Sequence, residues 1–269
     1  AHAFAVDDVL IQQWQKHGLD RQPLTLMAVG GYARCELFPH SDVDILLLHN
    51  GADVAAIGGI ETFLSEAWDL GFDVGHSVRS VEECITEAAA DVTVATSLLE
   101  RRTIIGDAGN PLALDQRWQQ AFDVEHFVKA KRFEQQQRYA RFEDTAYNLE
   151  PNIKESPGGL RDVQMVLWLA RAINRADSLD ALVTQGFINR TECAILSGAY
   201  AQIKFLRAHL HLLAKRREDR LVFELQNGLA ERLSITAASG LRASEVLMKR
   251  YYQSARQLRL FNDILIDAL

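Results

Sequence analysis

The sequence predicts an α+β fold, in which a mixed sheet with its helices comes first and an all-helical region follows. Short apolar runs typical of strands occur at Leu24–Val29, Ile45–Leu48 and Phe72–Val78. After residue 123 no strand pattern returns, and the apolar residues follow a helical spacing. We therefore place a domain boundary near residue 122 and expect domains at 1–122 and 123–269.

Helices alternate with the strands of the first domain. Three are expected from apolar spacing and from the position of turns: 7–17, 32–37 and 54–70. Ser80-Val-Glu-Glu matches a capping box that opens the next helix, and Asp91 can cap another. Thr103–Gly106 is a short strand or a connector.

The second domain is expected to consist of long helices. Their predicted spans are Val124–Tyr147, Leu160–Asn174, Thr191–Arg217, Leu221–Leu233 and Ala243–Leu269. The main irregular segment is Asn148–Gly159, which contains two prolines and two glycines.

Composition excludes several classes of protein. The chain is 48% hydrophobic and 24% charged, which is ordinary for a globular protein, and no apolar run reaches the length of a membrane span. Residues 1–10 lack the pattern of a signal peptide, and Cys35, Cys84 and Cys193 form no metal-binding pattern. These features predict a reduced, cytoplasmic setting without membrane contact. The net charge of −7 argues against a nucleic-acid partner.

Two aspartates two residues apart stand where an apolar run begins. Asp42 and Asp44 lead into Ile45–Leu48. Residues i and i+2 of a strand point to the same face, so both carboxylates are expected to project together. Two carboxylates held this close repel one another unless a cation is shared between them, and hard oxygen ligands suit Mg²⁺. The pair is therefore a candidate metal site.

Gly30-Gly31 follows the apolar run Leu24–Val29 and is a candidate phosphate site. Glycine allows positive φ and close approach of the backbone to a ligand, and successive N–H groups ahead of a helix bind anions. A lone Gly-Gly is usually a plain turn, and a lone Asp-x-Asp is usually a solvated strand end. The two together, with a spacer of ten residues, indicate a nucleoside triphosphate site.

This order of motifs resembles the signature of the nucleotidyltransferase superfamily that includes DNA polymerase beta. Within that superfamily the chain is similar to bacterial protein-PII uridylyltransferases. The stretches that match are GGYARCELFPHSDVDILLL (30–48), VGHSVRSVEEC (74–84), DVTVATSLLERR (91–102), YNLEPNIKESPGGLRD (147–162), RLVFELQ (220–226) and MKRYYQSARQL (248–258). The family more often has glycine where this chain has Ala33 and Cys35. The resemblance implies a polymerase beta-like domain followed by a helical domain that lines the nucleotide cleft.

The resemblance also implies a reaction and its participants. UMP would pass from UTP to a tyrosine hydroxyl of the trimeric PII signal protein, and diphosphate would be released. Two Mg²⁺ ions held by Asp42 and Asp44 are expected to lower the pKa of the nucleophile and to neutralise the leaving group. Gly30, Gly31 and Ser41 are predicted to hold the β- and γ-phosphates, and Arg34, one helical turn later, to reach the same charge.

The superfamily normally has a third carboxylate on a neighbouring strand. The candidate here is Asp73, for which a solvated strand end is the alternative; another register would put Gly75 in the usual position. His76 and Arg79 are further candidates for contact with the phosphate or the base. A buried, hydrogen-bonded histidine is the more common outcome for His76.

A polar, glycine-bent loop at 152–162 fits the wall of a nucleotide cleft. Lys154 is predicted to bind the triphosphate, with Ser156 and Arg161 as further contacts. The alternative is a structural connector between domains. The basic run at 215–217 is expected to be a solvated helix end, although it could receive an acidic partner surface.

Full-length members of the family also carry a hydrolytic domain with adjacent His-Asp ligands and two glutamine-sensing domains. None of the eight histidines here is followed by aspartate. We therefore expect this chain to be the transferase part alone. Two alternatives stay open: a nucleotidyltransferase with another acceptor, and a nucleotide-binding module whose active site has decayed.

Overall fold

The computed structural model describes residues 2–142, 148–173, 176–238 and 240–269. The chain divides into two compact units, Ala1–Asp123 and Val124–Leu269, close to the boundary expected near residue 122. The first unit contains a four-stranded mixed sheet with helices, and the second contains helices. The predicted α+β class is confirmed.

The sheet of the first unit has four strands. They are β1 (Leu24–Ala28), β2 (Val43–His49), β3 (Val74–Ser80) and β4 (Arg102–Gly106). Their order is β3-β2-β1-β4, in which β1 is antiparallel to both neighbours and β2 is parallel to β3. Residues 103–106, expected to be a strand or a connector, thus form an edge strand.

Six helices surround this sheet. They are α1 (His2–Lys16), α2 (Gly30–Ala33), α3 (Ile60–Asp69), α4 (Val81–Ala90), α5 (Val92–Leu99) and α6 (Gly109–Ala121). Short 3-10 turns occupy Leu19–Arg21 and Val54–Ala56. The predicted caps are confirmed: Ser80 and Glu83 form a capping box, and the Asp91 side chain accepts from the amide of Thr93.

Three helices of the first unit differ in their bounds from the prediction, and the one expected at 7–17 covers His2–Lys16. The helix expected at 32–37 instead covers Gly30–Ala33, because Cys35 adopts a left-handed conformation with φ +58 and ends it. The helix expected at 54–70 begins only at Ile60, since Gly59 has φ +96 and separates it from the turn at Val54–Ala56.

The core of the first unit lies between α1, α3 and one face of the sheet. Trp14 and Phe63 pack edge to face there, with ring centroids 5.5 Å apart. From β2 the core receives Val43, Ile45 and Leu47. Side chains alternate along a strand, so Asp44 points to the opposite face.

The second unit contains six helices within its described residues. They are α7 (Val124–Arg141), α8 (Leu160–Ala172), α9 (Leu179–Thr184), α10 (Arg190–Ala214), α11 (Phe223–Arg232) and α12 (Ala243–Ala268). Residues 143–147 and Asn174, which were predicted to be helical, lie outside the described residues. α10 ends before the basic run because Lys215 is left-handed, with φ +54, and residues 215–217 are exposed as expected.

Beyond residue 123, the described segments contain isolated bridges between Asn152 and Arg220 and between Ala238 and Leu241, but no strand. Across the described ranges, each helix is too short or too polar to cross a membrane.

Candidate functional site

The glycine turn connects β1 to the segment that leads into β2. Gly30 has φ +57, which a side chain would strain, whereas Gly31 has no such restriction. The Val29 amide donates to the carbonyl of Asp44 at 3.0 Å, and the Arg34 amide donates to the carbonyl of Gly30 at 3.2 Å. Main-chain bonds therefore fix the turn beside the strand that carries the aspartates.

The carboxylate of Asp44 lies between two glycines. On β3, Gly75 is the register partner of Asp44. A Cβ atom added at Gly75 would lie 2.5 Å from Asp44 Oδ1, and one added at Gly30 would lie 3.4 Å from Asp44 Oδ2. The carboxylate thus occupies space that side chains at these two positions would fill.

Asp42 lies immediately before β2 and is half-buried. The approach to it is bent by a tight loop, in which Ser41 Oγ accepts from the amide of Phe38 at 3.1 Å and the Ser41 amide donates to the Phe38 carbonyl at 3.0 Å. Ser41 thus helps to set where the aspartate strand begins, and its contact with phosphate stays a prediction.

The candidate for a third carboxylate, Asp73, precedes β3. It is exposed, and its carbonyl accepts from the amide of Val43 at 2.8 Å. The residue that stands opposite Asp44 on the neighbouring strand is Gly75. The role of Asp73 as the third carboxylate therefore stays a prediction.

His76 is exposed, so the expectation of a buried histidine is wrong. The reason is its place near the start of β3, an edge strand, where its ring meets Trp68 edge to face at 5.6 Å. Arg79 is half-buried and stands in register with Leu48.

Arg34 contacts two carboxylates. Its Nε donates to Glu36 Oε2 at 3.0 Å, and its Nη1 donates to Glu100. Glu100 is 5% exposed, so one member of this cluster is a buried acid. The guanidinium thereby anchors the end of α2, and its predicted contact with phosphate is a separate proposal.

Tyr32 anchors α2 from the other side. Its hydroxyl donates to Asp7 Oδ1, and Arg102 donates to both oxygens of the same carboxylate at 2.8 and 3.0 Å. Arg102 also lies 5.4 Å from the centroid of the Tyr32 ring. α1, α2 and β4 are joined at this buried cluster, which holds the glycine turn in place.

Carboxylate oxygens are the ligands that Mg²⁺ prefers, and it often takes only one or two from the protein. Within the part of the chain that the structure describes, no three His, Cys, Asp or Glu side chains are grouped to hold a metal. The candidate donors are Asp42 and Asp44, whose oxygens are of the kind that Mg²⁺ takes when substrate phosphates and water complete its coordination, and their role as metal ligands stays a prediction.

In the second unit, the segment before α8 is held by its own polar groups. Asn152 Oδ1 accepts from the amides of Lys154 and Glu155 at 3.0 and 2.8 Å. Ser156 Oγ accepts from the Asn152 amide at 3.0 Å, and Ser156 is 1% exposed. Ser156 thus holds the loop together, and little of it is accessible to a ligand.

Gly158 turns the loop against α12. It has φ +80, and an added Cβ atom would lie 2.2 Å from the carbonyl oxygen of Ala255. Its amide donates to Asp162 Oδ2 at 2.6 Å, and Arg138 donates to the other oxygen of that fully buried carboxylate. The position of the loop therefore depends on a glycine and on a buried ion pair.

Lys154, Glu155 and Arg161 form a charged cluster beside this turn. Arg161 Nη2 donates to Glu155 Oε1 at 2.9 Å, and Lys154 Nζ lies 3.9 Å from the same oxygen. Burial and the nearby Arg161 lower the pKa of Lys154 to about 8. Two cations share one carboxylate in this trio, so it has an excess of positive charge that suits an anion.

Comparison with known proteins decides the family. The family model described as GlnD PII-uridylyltransferase matches residues 126–266. The chain belongs to this family. Three relatives are each named bifunctional uridylyltransferase/uridylyl-removing enzyme. They come from Ralstonia nicotianae (46% identical over 98% of the chain), Cupriavidus metallidurans (46% over 97%) and Burkholderia mallei (48% over 98%). The chain spans 31% of the length of these relatives.

Two surface grooves of this GlnD-family chain border α12, with volumes of 1020 and 820 Å³. Gln253 and Arg256 line both, and the larger groove also includes the exposed Phe205 and Leu260. Neither groove is lined, among the described residues, by a side chain that the sequence assigned to the nucleotide.

Several residues that shape the candidate site of this family member were not singled out from the sequence. Asp7 carried a signal, because an acid on the buried face of α1 requires a partner. The partners Tyr32 and Arg102 are distant in sequence, so no local pattern identifies them. Glu100, the buried partner of Arg34, is likewise distant from it in sequence.

Proposed function

We propose that this chain is a uridylyltransferase that transfers UMP from UTP to a tyrosine hydroxyl of the PII protein, with release of diphosphate. The observation that carries this proposal is the carboxylate of Asp44, held between Gly30 and Gly75 with Asp42 two residues away, in a member of the GlnD family. The names of its relatives support uridylyl transfer as the reaction.

In the proposed reaction the tyrosine oxygen attacks the α-phosphorus of UTP. A new bond forms between that oxygen and the phosphorus, the bond from the α-phosphorus to the bridging oxygen breaks, and diphosphate leaves with its electron pair. The hydroxyl proton of the tyrosine is lost to solvent or to a nearby base. Mg²⁺ bound at Asp42 and Asp44, as two ions in our proposal, would supply charge neutralisation and a lower pKa for the nucleophile.

The protein contributes position and charge to this reaction. Gly30 and Gly31 offer backbone that a phosphate can approach closely, and Ser41 lies just ahead of Asp42. In the second unit, Lys154 is our proposed triphosphate contact because its amine is partly buried beside Arg161. Arg34 and Arg161 already donate to carboxylates, so we assign them support of these segments as well as phosphate contact.

PII is the proposed acceptor and partner, since the matching family model names it. We also propose a reduced, cytoplasmic setting; Cys35, Cys84 and Cys193 are free thiols in the structure, which supports it.

The decisive experiment is the intact mass of a PII protein after incubation with this chain, UTP and Mg²⁺. A mass gain equal to UMP is expected with the wild type and is expected to disappear in the Asp42→Ala/Asp44→Ala variant. Asp53→Ala is the matched control, because Asp53 is an exposed carboxylate whose side chain makes no capping bond. If the wild type binds UTP but PII gains no mass, PII is not the acceptor, and transfer to another acceptor is the hypothesis that would remain for a transferase.

One observation favours a second candidate, a nucleotide-binding module without catalysis. The strand partner of Asp44 on β3 is Gly75, which brings no carboxylate to this level of the sheet. A module of this kind would bind UTP in the presence of Mg²⁺ and transfer nothing to any acceptor. Calorimetric titration with UTP, run beside the mass measurement, separates the two candidates.

A further inference from the structure

We propose that Gly75 is a positioning residue for the divalent-cation site, because the absence of a side chain there leaves room for the Asp44 carboxylate in its present orientation. This inference rests on the proposed function, since it concerns an aspartate assigned to the metal. The ligand of this site would be a divalent cation bound by carboxylate oxygens.

The backbone at Gly75 does not itself require glycine. Its φ lies outside the left-handed region, so any residue could adopt this conformation in β3. An added Cβ atom would lie 2.5 Å from Asp44 Oδ1 and 3.6 Å from Asp44 Cγ. Among the described residues no other atom lies within 4 Å, so the demand for glycine comes from the Asp44 carboxylate alone.

A side chain at position 75 would move the carboxylate rather than the strand. Asp44 Oδ1 is the end of a side chain, and its torsions can relieve the contact at less cost than a shift of paired backbone. Alanine at position 75 should therefore leave the sheet intact and turn Asp44 away from its present direction.

The close approach of position 75 to Asp44 Oδ1 also leaves no room for a third carboxylate at position 75. An acidic side chain at position 75 would begin with a Cβ atom in the space that Asp44 Oδ1 occupies. The β2–β3 pair thus accommodates one carboxylate at this level of the sheet. Gly75→Asp is accordingly expected to weaken cation binding rather than to strengthen it.

The test uses Mn²⁺ as the probe, with free Mn²⁺ measured by electron paramagnetic resonance during titration of the chain in the presence of UTP, against a blank of Mn²⁺ and UTP without protein. Gly75→Ala is expected to weaken Mn²⁺ binding roughly 10- to 100-fold, the usual effect of disturbing the support of a metal ligand. Gly58→Ala is the matched control: Gly58 is exposed, has no atom within 4 Å of an added Cβ and is not left-handed. Its Mn²⁺ affinity should equal that of the wild type.

A second readout needs no metal. The change in thermal midpoint caused by Gly75→Ala should be more favourable in an Asp44→Ala background, where Oδ1 is absent, than in the wild type. Equal changes in both backgrounds, or wild-type Mn²⁺ affinity in Gly75→Ala, overturn the positioning role while uridylyl transfer by the wild type stands. If the wild type binds no Mn²⁺ even with UTP present, the metal-dependent function falls and this role falls with it.

Discussion

The phenol of Tyr32 donates a hydrogen bond to Oδ1 of Asp7 and thereby ties the helix of the glycine turn to α1. Tyr32 is completely buried, and burial together with Asp7 raises the pKa of its hydroxyl far above the ordinary value. The hydroxyl therefore keeps its proton, and remains a donor, above the pH at which a solvent-exposed tyrosine loses its proton. The glycine turn thus depends on residues that the sequence did not assign to the nucleotide or the metal.

Tyr32→Phe should destabilise the first unit, because the Asp7 carboxylate loses a buried donor while the ring stays in place. We expect a loss of about 1–3 kcal/mol in the free energy of local unfolding. Tyr251→Phe is the control, since the Tyr251 hydroxyl is buried with no hydrogen-bond partner among the described residues. That variant should be neutral or more stable. Hydrogen exchange of amides in the unit that carries each substitution measures both, and similar losses would contradict the role of Tyr32.

Gly30 and Gly31 should respond differently to alanine. Gly30→Ala places a side chain at φ +57 and 3.4 Å from Asp44 Oδ2, so we expect a loss of about 1–2 kcal/mol in unfolding free energy. At Gly31 the nearest atom to an added Cβ is Arg34 Nη2 at 3.7 Å, an ordinary contact, and stability should be retained. If phosphate approaches this backbone, Gly31→Ala will still lower UTP affinity. Unchanged UTP affinity in Gly31→Ala would remove Gly31 from the proposed phosphate site.

The affinity for UTP should fall as pH rises through about 8, where Lys154 loses its proton. Lys154→Arg should show no such fall, because arginine stays protonated. The pH dependence of folding stability has the opposite sign to that of UTP affinity. Between pH 8 and the ordinary value of 10.5 the unfolded chain binds a proton that the folded chain does not, so stability from this residue rises with pH. UTP dissociation constants of the wild type and of Lys154→Arg, measured at about pH 7 and about pH 9, test the expected fall in UTP affinity. The same pH dependence of UTP affinity in the wild type and in Lys154→Arg would show that Lys154 does not bind the triphosphate.

Gly158→Ala should disrupt the loop before α8 far more than backbone strain alone explains. Gly186→Ala is the matched control, since Gly186 has nearly the same φ, +79, but no atom within 4 Å of an added Cβ. The control should cost only the strain of a left-handed residue, about 1–2 kcal/mol. Gly158→Ala adds a contact of 2.2 Å with backbone and should cost clearly more. Urea unfolding of the two variants gives the comparison, and equal losses would show that the loop can shift away from α12.

The sequence predicted what depends on local pattern. The capping box at Ser80 and Glu83 and the aspartate cap at Asp91 followed from side chains within three residues of their partners. The helix at 32–37 was misplaced because Cys35 is left-handed, a conformation that cysteine as a residue type does not signal. The partner of Asp44 on β3 required the strand register, which two isolated apolar runs do not specify.

In the candidate site too, local patterns were predicted and contacts between distant residues were not. Gly30, Gly31, Asp42 and Asp44 were found from their spacing, since one turn and one strand carry them. The ion pairs of Arg34 with Glu100 and of Arg102 with Asp7 join residues far apart in the chain, and only the fold brings them together. Sequence reasoning thus located the proposed chemistry but missed much of what supports it.

The sheet order also determines when the first unit can complete its fold. β1 is an interior strand, and one of its two neighbours, β4, comes only at Arg102–Gly106. A nascent chain that has emerged only as far as α5 leaves one edge of β1 without hydrogen-bond partners, and such edges favour association between chains. Because contacts this distant in sequence also form slowly, the first unit should acquire protease resistance during synthesis only after residue 106 has left the ribosome.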